Sequence, residues 1–344
     1  MFGFISKVIV HGVGNKTLSE GVRISKREVY LTERMNDTLV SFFDNCILSD
    51  STYHFFHESN ELVLNTLYVY ASRIFDNPVL FNETSAIIAK SLYESSDHPK
   101  IHSGELIVVL FEKSEYEGVK CRALGLFKSE SKDKYLDIDY QDDSYSFVEN
   151  EGLSVDCIEK GAVIYNTEKD SGFRVKIVMR SSKQVDAKYW MNDFLHVKQL
   201  SDSFFKTQQV VALTKRFVRD VLDEDDTVPR IERAEIVARA SAFLSSNDTF
   251  DDNSFCDMVF RDKDKIENFV QYRDDVSSED KNTFAIPFKI DKQLIKKQAR
   301  VFKSVIKLDK NFHIYVHGGE GMIKRGYDEK TGMEYYQLFF MKEE

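Results

Sequence analysis

The chain has 344 residues, of which 42% are hydrophobic and 30% charged, and its formal net charge is −10. This composition is typical of a globular protein of about two domains and excludes a disordered chain. Four scattered cysteines without a CxxC pair argue against zinc and thioredoxin-type sites and favour a reduced cytoplasmic setting. The N-terminus does not have the pattern of a signal peptide, and no stretch approaches the ~20 apolar residues of a membrane helix.

Strand and helix patterns alternate at the start of the chain. Within residues 5–31, apolar alternation on both sides of His11–Asn15 predicts two strands joined by a turn. Thr32 is then predicted to cap a helix, because its hydroxyl can accept from free backbone N–H groups of the first turn. Apolar residues at helical spacing predict two further helices, over residues 61–75 and 83–93.

The next part of the chain has the pattern of β-structure. Residues 105–127 predict a β-hairpin, and residues 135–139, 162–165 and 173–179 predict further strands of the same antiparallel sheet. Together these elements predict an N-terminal α+β domain, residues 1–183, with helices packed on a mainly antiparallel sheet.

The rest of the chain divides into two regions. Residues 184–280 have a helical period and predict a helical middle region, with Pro229 in the first turn of one helix. Residues 281–344 predict a small mixed C-terminal α/β region that is rich in lysine. Its elements are short strands at residues 286–290, 300–308, 312–316 and 334–340 and a helical turn at residues 292–298.

The most informative feature is a basic segment inside an acidic protein. From Lys281 to Arg325, eleven Lys and Arg face three acids, a net charge of +8 that leaves −18 for the remaining residues. Each neutralised phosphate releases condensed counterions, so this basic segment can bind DNA despite the negative charge of the whole chain. An alternative, a charged edge that prevents strand pairing between molecules, is left open. The candidate DNA contacts, all to phosphates, are Lys292, Lys296, Lys297, Arg300, Lys303 and Lys307.

Two short motifs have spacings known from binding sites. His54 and His57 could hold a metal on one helical face, but no further ligand follows from the sequence, so surface or core histidines are the preferred interpretation. Gly12-Val-Gly14 follows a strand, as in a phosphate loop, but completes neither GxGxxG nor GxxxxGK[ST]. A tight turn is the preferred interpretation of these glycines.

A third group of candidate site residues consists of aspartates. Its carboxylates could bind Mg²⁺ or Ca²⁺ in a metal-dependent nuclease or phosphodiesterase. The preferred interpretation is a strand end that runs into a solvated acidic loop, so no catalytic residue, metal or cofactor is assigned. The residues concerned are Asp137, Asp139, Asp142 and Asp143.

Several segments in a fixed order carry a resemblance that spans nearly the whole chain. They are Gly104–Phe111, Tyr135–Asp139, Lys160–Ala162, Tyr189–Leu195, Phe288–Asp291 and Asp328–Gly332. In this order they resemble the bacterial nucleoid-associated protein family of the NdpA or YejK-like type. The resemblance implies a cytoplasmic, non-enzymatic protein of the nucleoid that binds double-stranded DNA without marked sequence preference. None of these segments is a catalytic signature, so the resemblance supplies no active-site residues.

The sequence and the resemblance together predict a nucleoid protein whose basic C-terminal patch binds double-stranded DNA. Protein partners on the nucleoid are expected, a membrane partner is not, and a homodimer is left open. One alternative function is that of a protein-interaction adaptor with an acidic N-terminal face. The other alternative is the metal-dependent nuclease or phosphodiesterase.

Overall fold

The computed structural model divides the chain into two compact units, Met1–Leu200 and Ser201–Glu344. The predicted α+β class is confirmed. Residues 184–200 belong to the first unit, and the rest of the predicted helical and basic regions belongs to the second. The division of the chain into three separate domains stays a prediction. The described residues are 2–47, 50–141, 143–153, 158–181, 183–222, 228–276, 287–297, 304–308, 312–316 and 323–342.

The first unit is built on an eight-stranded antiparallel sheet with the order β10-β3-β9-β8-β5-β4-β1-β2. Its central strands are covered on both faces, which explains the uninterrupted apolar sequence of β4. The strands of this unit are β1 (Phe4–Val13), β2 (Val22–Arg23), β3 (Tyr53–Phe55), β4 (Gly104–Tyr116), β5 (Val119–Ser129), β6 (Lys132–Gln141), β7 (Ser144–Leu153), β8 (Lys160–Tyr165), β9 (Arg174–Met179) and β10 (Val197–Gln199).

Helices cover the two faces of this sheet and form two separate cores. On one face, α1 (Glu33–Cys46) packs its phenylalanines against alternate residues of β4, such as Val109. On the other face, α2 (Thr66–Asp76) and α3 (Phe81–Ser95) pack against the intervening residues, such as Val108. The same core contains α4 (Gln184–Ala187) and the π-helical segment Lys188–Leu195 that continues it.

Side chains cap the first turns of α1 and α2. Thr32 caps α1, and its hydroxyl accepts from the backbone N–H of Met35 at 3.3 Å, as predicted. The helix predicted over residues 61–75 is interrupted at Asn65, whose side chain caps α2 by accepting from Tyr68 N–H at 2.9 Å. Residues 62–64 form only a short 3₁₀ turn before this cap.

The prediction that residues 135–139 belong to the main sheet is wrong. β6 and β7 pair only with each other and form a separate two-stranded hairpin. The expected acidic loop is replaced by this hairpin, since β6 continues to Gln141 and Asp143 lies in the turn. Asp142 lies outside the described residues. Local alternation predicts a strand correctly, but it does not say which strand will pair with it.

The second unit packs its helices around a core rich in phenylalanine, to which β12 and α9 also contribute. Pro229 lies one residue before the first helical residue of α6, in an extended conformation, and not within the first turn. Among the described residues, no helix is both long and apolar enough to span a bilayer. The elements are α5 (Ser203–Phe217), α6 (Arg230–Ser246), β11 (Thr249–Phe250), α7 (Asp252–Val259), α8 (Lys263–Val276), β12 (Phe288–Lys289), α9 (Lys292–Lys297), β13 (Ser304–Lys307), β14 (His313–Val316), β15 (Ile323–Asp328) and β16 (Met333–Leu338).

Two glycines with positive φ allow a matched test of backbone packing in the first unit. Gly118 (φ +81°) has open space where a Cβ would lie, whereas a Cβ on Gly172 (φ +86°) would lie 2.2 Å from the carbonyl oxygen of Phe55. We expect Gly118→Ala to lower the free energy of unfolding by about 1–2 kcal/mol through the left-handed backbone alone. Gly172→Ala should lower it by roughly 2 kcal/mol more, because backbone must also move.

Urea titration followed by tryptophan fluorescence measures both effects, because the one tryptophan of the chain, Trp190, is buried in the first unit. Equal losses in the two variants would show that the close approach at Gly172 does not constrain the fold.

Candidate nucleic-acid interface

The short helix α9 presents two of the predicted DNA contacts to solvent. Asp291 caps it by accepting from the backbone N–H of Leu294 at 2.8 Å. Leu294 and Ile295 are buried, so the two residues that follow, Lys296 and Lys297, lie on the exposed side. The apolar residues therefore hold the helix on the second unit while its last turn carries the positive charge.

Two further lysines of the second unit belong to elements that contact α9 or its neighbours. In β12, Phe288 is buried and Lys289 is exposed, as expected for successive residues of a strand. Lys206 of α5 lies over the ring of Phe288, with its Nζ 5.7 Å from the ring centroid. Because β12 and α9 both pack against α5, Lys206 and Lys289 add positive charge to the region of the second unit that contains α9. We call Lys206, Lys289, Lys296 and Lys297 the α9 lysine cluster.

Lys292, another predicted contact, has structural partners. Its Nζ donates to the carbonyl oxygens of Leu244 at 3.2 Å and Ser245 at 2.8 Å, and also to that of Asn247. The carboxylate of Asp248 lies 3.7 Å away. These carbonyls belong to the C-terminal end of α6, where unpaired carbonyl oxygens and the helix dipole favour a cation. Lys292 thus joins the start of α9 to the end of α6.

Of the other three predicted DNA contacts, one lies among the described residues. Lys307 is the last residue of β13 and pairs through its backbone with His313 of β14. Arg300 and Lys303 lie outside the described residues. The structure therefore brings Lys292, Lys296 and Lys297 together on one short helix. It also places Lys206 near them, although this residue is distant in sequence and no sequence pattern links it to the basic segment.

A group of buried charges in the first unit was not predicted. Lys128 and Lys160 are paired residues of β5 and β8, and their side chains are 0% and 1% exposed. The carboxylate of Glu130 lies 3.1 Å from Lys128 Nζ and 2.7 Å from Lys160 Nζ. Asp186 contacts Lys160 at 3.1 Å, and Lys128 donates to the hydroxyl of Tyr189 at 3.2 Å. We call these five residues the buried lysine network.

Burial and pairing act against each other in this network. Burial lowers the pKa of Lys128 below its usual range, and the charge of Glu130 offsets only part of this effect. For Asp186, burial opposes the charged form, but hydrogen bonds from Ser181 and Lys160 outweigh it and hold the pKa below its usual value. The geometry therefore indicates a structural role, in which each buried charge depends on its partner.

Two segments that carry the family resemblance meet at this network. Lys160–Ala162 supplies one of the buried lysines, and Tyr189–Leu195 supplies the buried tyrosine. The indole N–H of Trp190 also donates to the carbonyl oxygen of Gly161 at 3.1 Å. These segments therefore secure the packing of β8 against the π-helical segment.

Gly12 lies within β1, where it pairs with Arg23 of β2 and Glu105 of β4, so the tight-turn interpretation is wrong for this glycine, and the turn follows at residues 16–19. Gly14 N–H donates to the carbonyl oxygen of Gly21 at 2.9 Å, and a Cβ on Gly14 would lie 2.5 Å from the Cβ of Glu20. Gly12 and Gly14 border a cleft of about 440 Å³, where negative charges outnumber positive ones, so the cleft is poorly suited to phosphate. Its charged lining residues are Glu20, Glu105, Glu130, Arg23 and Lys132.

The histidine pair does not lie on a helix, so the two imidazoles do not share the helical face that the metal alternative would need. His54 belongs to β3, with its Nδ1 3.1 Å from the carbonyl oxygen of Phe55. His57 follows in an exposed turn, and its Nδ1 lies 2.8 Å from the hydroxyl of Ser59. Within the described residues, no three His, Cys, Asp or Glu side chains are grouped as metal ligands.

Removing one cation from the buried lysine network should strongly destabilise the first unit. Lys160→Met leaves Glu130 and Asp186 buried with one ammonium group fewer, which we expect to cost about 3–5 kcal/mol. Lys169→Met is the control, because it breaks the solvent-exposed pair Lys169–Asp76, whose atoms lie 2.9 Å apart, and should cost less than about 1 kcal/mol. Urea unfolding followed by Trp190 fluorescence compares them, and similar losses would contradict the structural role.

Comparison with known proteins identifies the family. No curated protein matches the chain. The sequence profile of the family described as nucleoid-associated protein YejK matches residues 9–332. Because this match covers nearly the whole chain, the protein belongs to the nucleoid-associated protein YejK family.

Proposed function

We propose that the protein binds double-stranded DNA of the bacterial nucleoid, in the cytoplasm, through its basic segment and without enzymatic action. Membership of a nucleoid-associated family supports the general role. The site is supported by the charge distribution along the chain, since the basic segment carries +8 in a protein of net charge −10. Local cation density governs binding at contact range, because charges further away are screened within roughly 8 Å at physiological salt.

The observation that carries the proposal is the orientation of α9. Its buried residues, Leu294 and Ile295, hold the helix in place, and Lys296 and Lys297 lie outward. The sequence has no acidic residue between Asp291 and Asp309, so the charges in this stretch of the chain are all positive. A rigid base beneath exposed cations lowers the entropy lost when phosphates are bound.

The proposed contacts to phosphates are the exposed lysines of α9, the basic residues that follow it, and the remainder of the α9 lysine cluster. Lysine ammonium groups are point charges that neutralise phosphates without the bidentate geometry used to read base edges. Binding therefore depends on salt and little on base sequence. Lys292 acts as a positioning residue, since its ammonium group is held by carbonyl oxygens at the end of α6. The proposed phosphate contacts are Lys206, Lys289, Lys296, Lys297, Arg300, Lys303 and Lys307, and Lys292 positions α9.

A DNA-binding titration at several salt concentrations tests this site. The variant Lys296→Ala/Lys297→Ala/Arg300→Ala removes three cations, so the slope of log K against log salt should become shallower by about 2–3. The control is Lys90→Ala/Lys100→Ala/Lys120→Ala, which removes the same charge from exposed lysines of the first unit. The control should retain the wild-type slope. Equal changes in both variants would point to net charge alone, and an unchanged slope in the first variant would refute the site.

The nuclease alternative has a direct test. Asp137 and Asp139 lie on the exposed β6–β7 hairpin, and the carboxylate of Asp143 accepts from the hydroxyl of Tyr140 at 3.2 Å. We therefore expect intact plasmid DNA after incubation of the purified protein with Mg²⁺ or Mn²⁺. Cleavage that is lost in Asp137→Asn/Asp139→Asn would contradict the non-enzymatic proposal.

A further inference from the structure

The β6–β7 hairpin stands apart from the eight-stranded sheet and exposes both of its faces. Its register is continuous, so directly paired residues of the two strands point to the same side along its whole length. One side contains most of the large apolar residues, and we call it the apolar hairpin face. It consists of Leu136, Ile138, Tyr140, Tyr145, Phe147 and Leu153.

This face is at least comparable in size with the largest apolar patch of a typical monomer. The exposed fraction is 63% for Leu136 and Ile138, 71% for Phe147 and 77% for Tyr145. The three aromatic side chains expose roughly 300–500 Å², since each can bury on the order of 150–250 Å², and the leucine and isoleucine side chains add to this area. The largest patch of a typical monomer is about 300–600 Å². Each partner of a stable complex contributes about 800 Å², so this face is close to what a stable dimer needs.

The charges of the hairpin are divided between its two sides. Lysines and glutamates balance on the side of the apolar face, while the opposite side has only aspartates, which keep it hydrated. The charged residues are Lys132, Lys134, Glu149 and Glu151 on the apolar side, and Asp133, Asp137 and Asp139 on the other. Two such apolar sides can therefore approach without net repulsion, whereas the acidic hairpin as a whole repels DNA.

We propose that the apolar hairpin face packs against the same face of a second copy of this chain. The interface is isologous, and a two-fold axis parallel to the strands places β6 of one copy over β7 of the other. The apolar residues of the two hairpins then cover each other.

The same arrangement matches the charges at the base of the hairpin. Within one copy, Lys134 Nζ lies 2.7 Å from the carboxylate of Glu149 and 4.0 Å from that of Glu151. Since Lys134 of β6 pairs in register with Glu151 of β7, the axis brings Lys134 of each copy opposite Glu151 of the other, whereas Lys132 lies opposite Leu153. The face is thus self-complementary in both apolar surface and charge.

Sedimentation velocity of the full chain, between about 1 and 100 μM, tests the proposal. We expect the wild type to form a dimer in this range. Ile138→Asp/Phe147→Asp places two charges at the centre of the face and should weaken dimerisation by about 100-fold or more. No described residue of the hairpin belongs to a core cluster of either unit, so circular dichroism and Trp190 fluorescence should show an intact fold.

The matched control is Tyr135→Asp/Val148→Asp, which adds the same charges to exposed residues on the opposite side of the same hairpin. This variant should dimerise as the wild type does. A wild type that stays monomeric at the highest concentration would overturn the proposal, and so would a dimer that survives Ile138→Asp/Phe147→Asp. Loss of the dimer in the control as well would refute the assignment to this face.

Discussion

The first unit depends on two buried ammonium groups that share one carboxylate. Lys128 and Lys160 face each other across β5 and β8, and Glu130 lies between them. The chain leaves the main sheet just after β5 to form the hairpin and returns to it at β8, so the network lies where the hairpin begins and ends. At this junction Glu159 accepts from the backbone N–H of Glu130 at 3.0 Å. We expect the requirement that each of these buried charges keep its partner to restrict the alternative arrangements of this junction.

In the second unit, the backbone position of each lysine decides what its charge does. Lys292 begins α9 and is held by carbonyl oxygens at the end of α6, whereas Lys296 and Lys297 end α9 on its exposed side. One residue type thus anchors the helix at its start and supplies the proposed phosphate contacts at its end. The anchoring is necessary because exposed lysines on an unsupported turn would lose more conformational entropy on binding.

The apolar hairpin face and the basic segment are different surfaces of the protein, and dimerisation through the first would strengthen DNA binding through the second. A dimer formed through the apolar hairpin face would carry two basic segments. Where both segments reach one DNA molecule, binding of the first raises the effective concentration of the second, which increases the overall affinity without any new type of contact. The acidic side of the hairpin remains in water in such a dimer, which is consistent with its uniform negative charge.

The sequence by itself determined the fold class, most helices and strands, the Thr32 cap and the basic segment, because apolar periodicity, capping chemistry and charge are local properties. The tertiary structure decided which strands pair and which lysines are buried. Residues 135–139 alternate like the strands of the main sheet, yet they pair only with β7. Lys128 and Lys292 are indistinguishable from surface lysines in a sequence, and their roles come from partners distant along the chain. Such long-range contacts depend on the packing of the whole unit, which no local pattern contains.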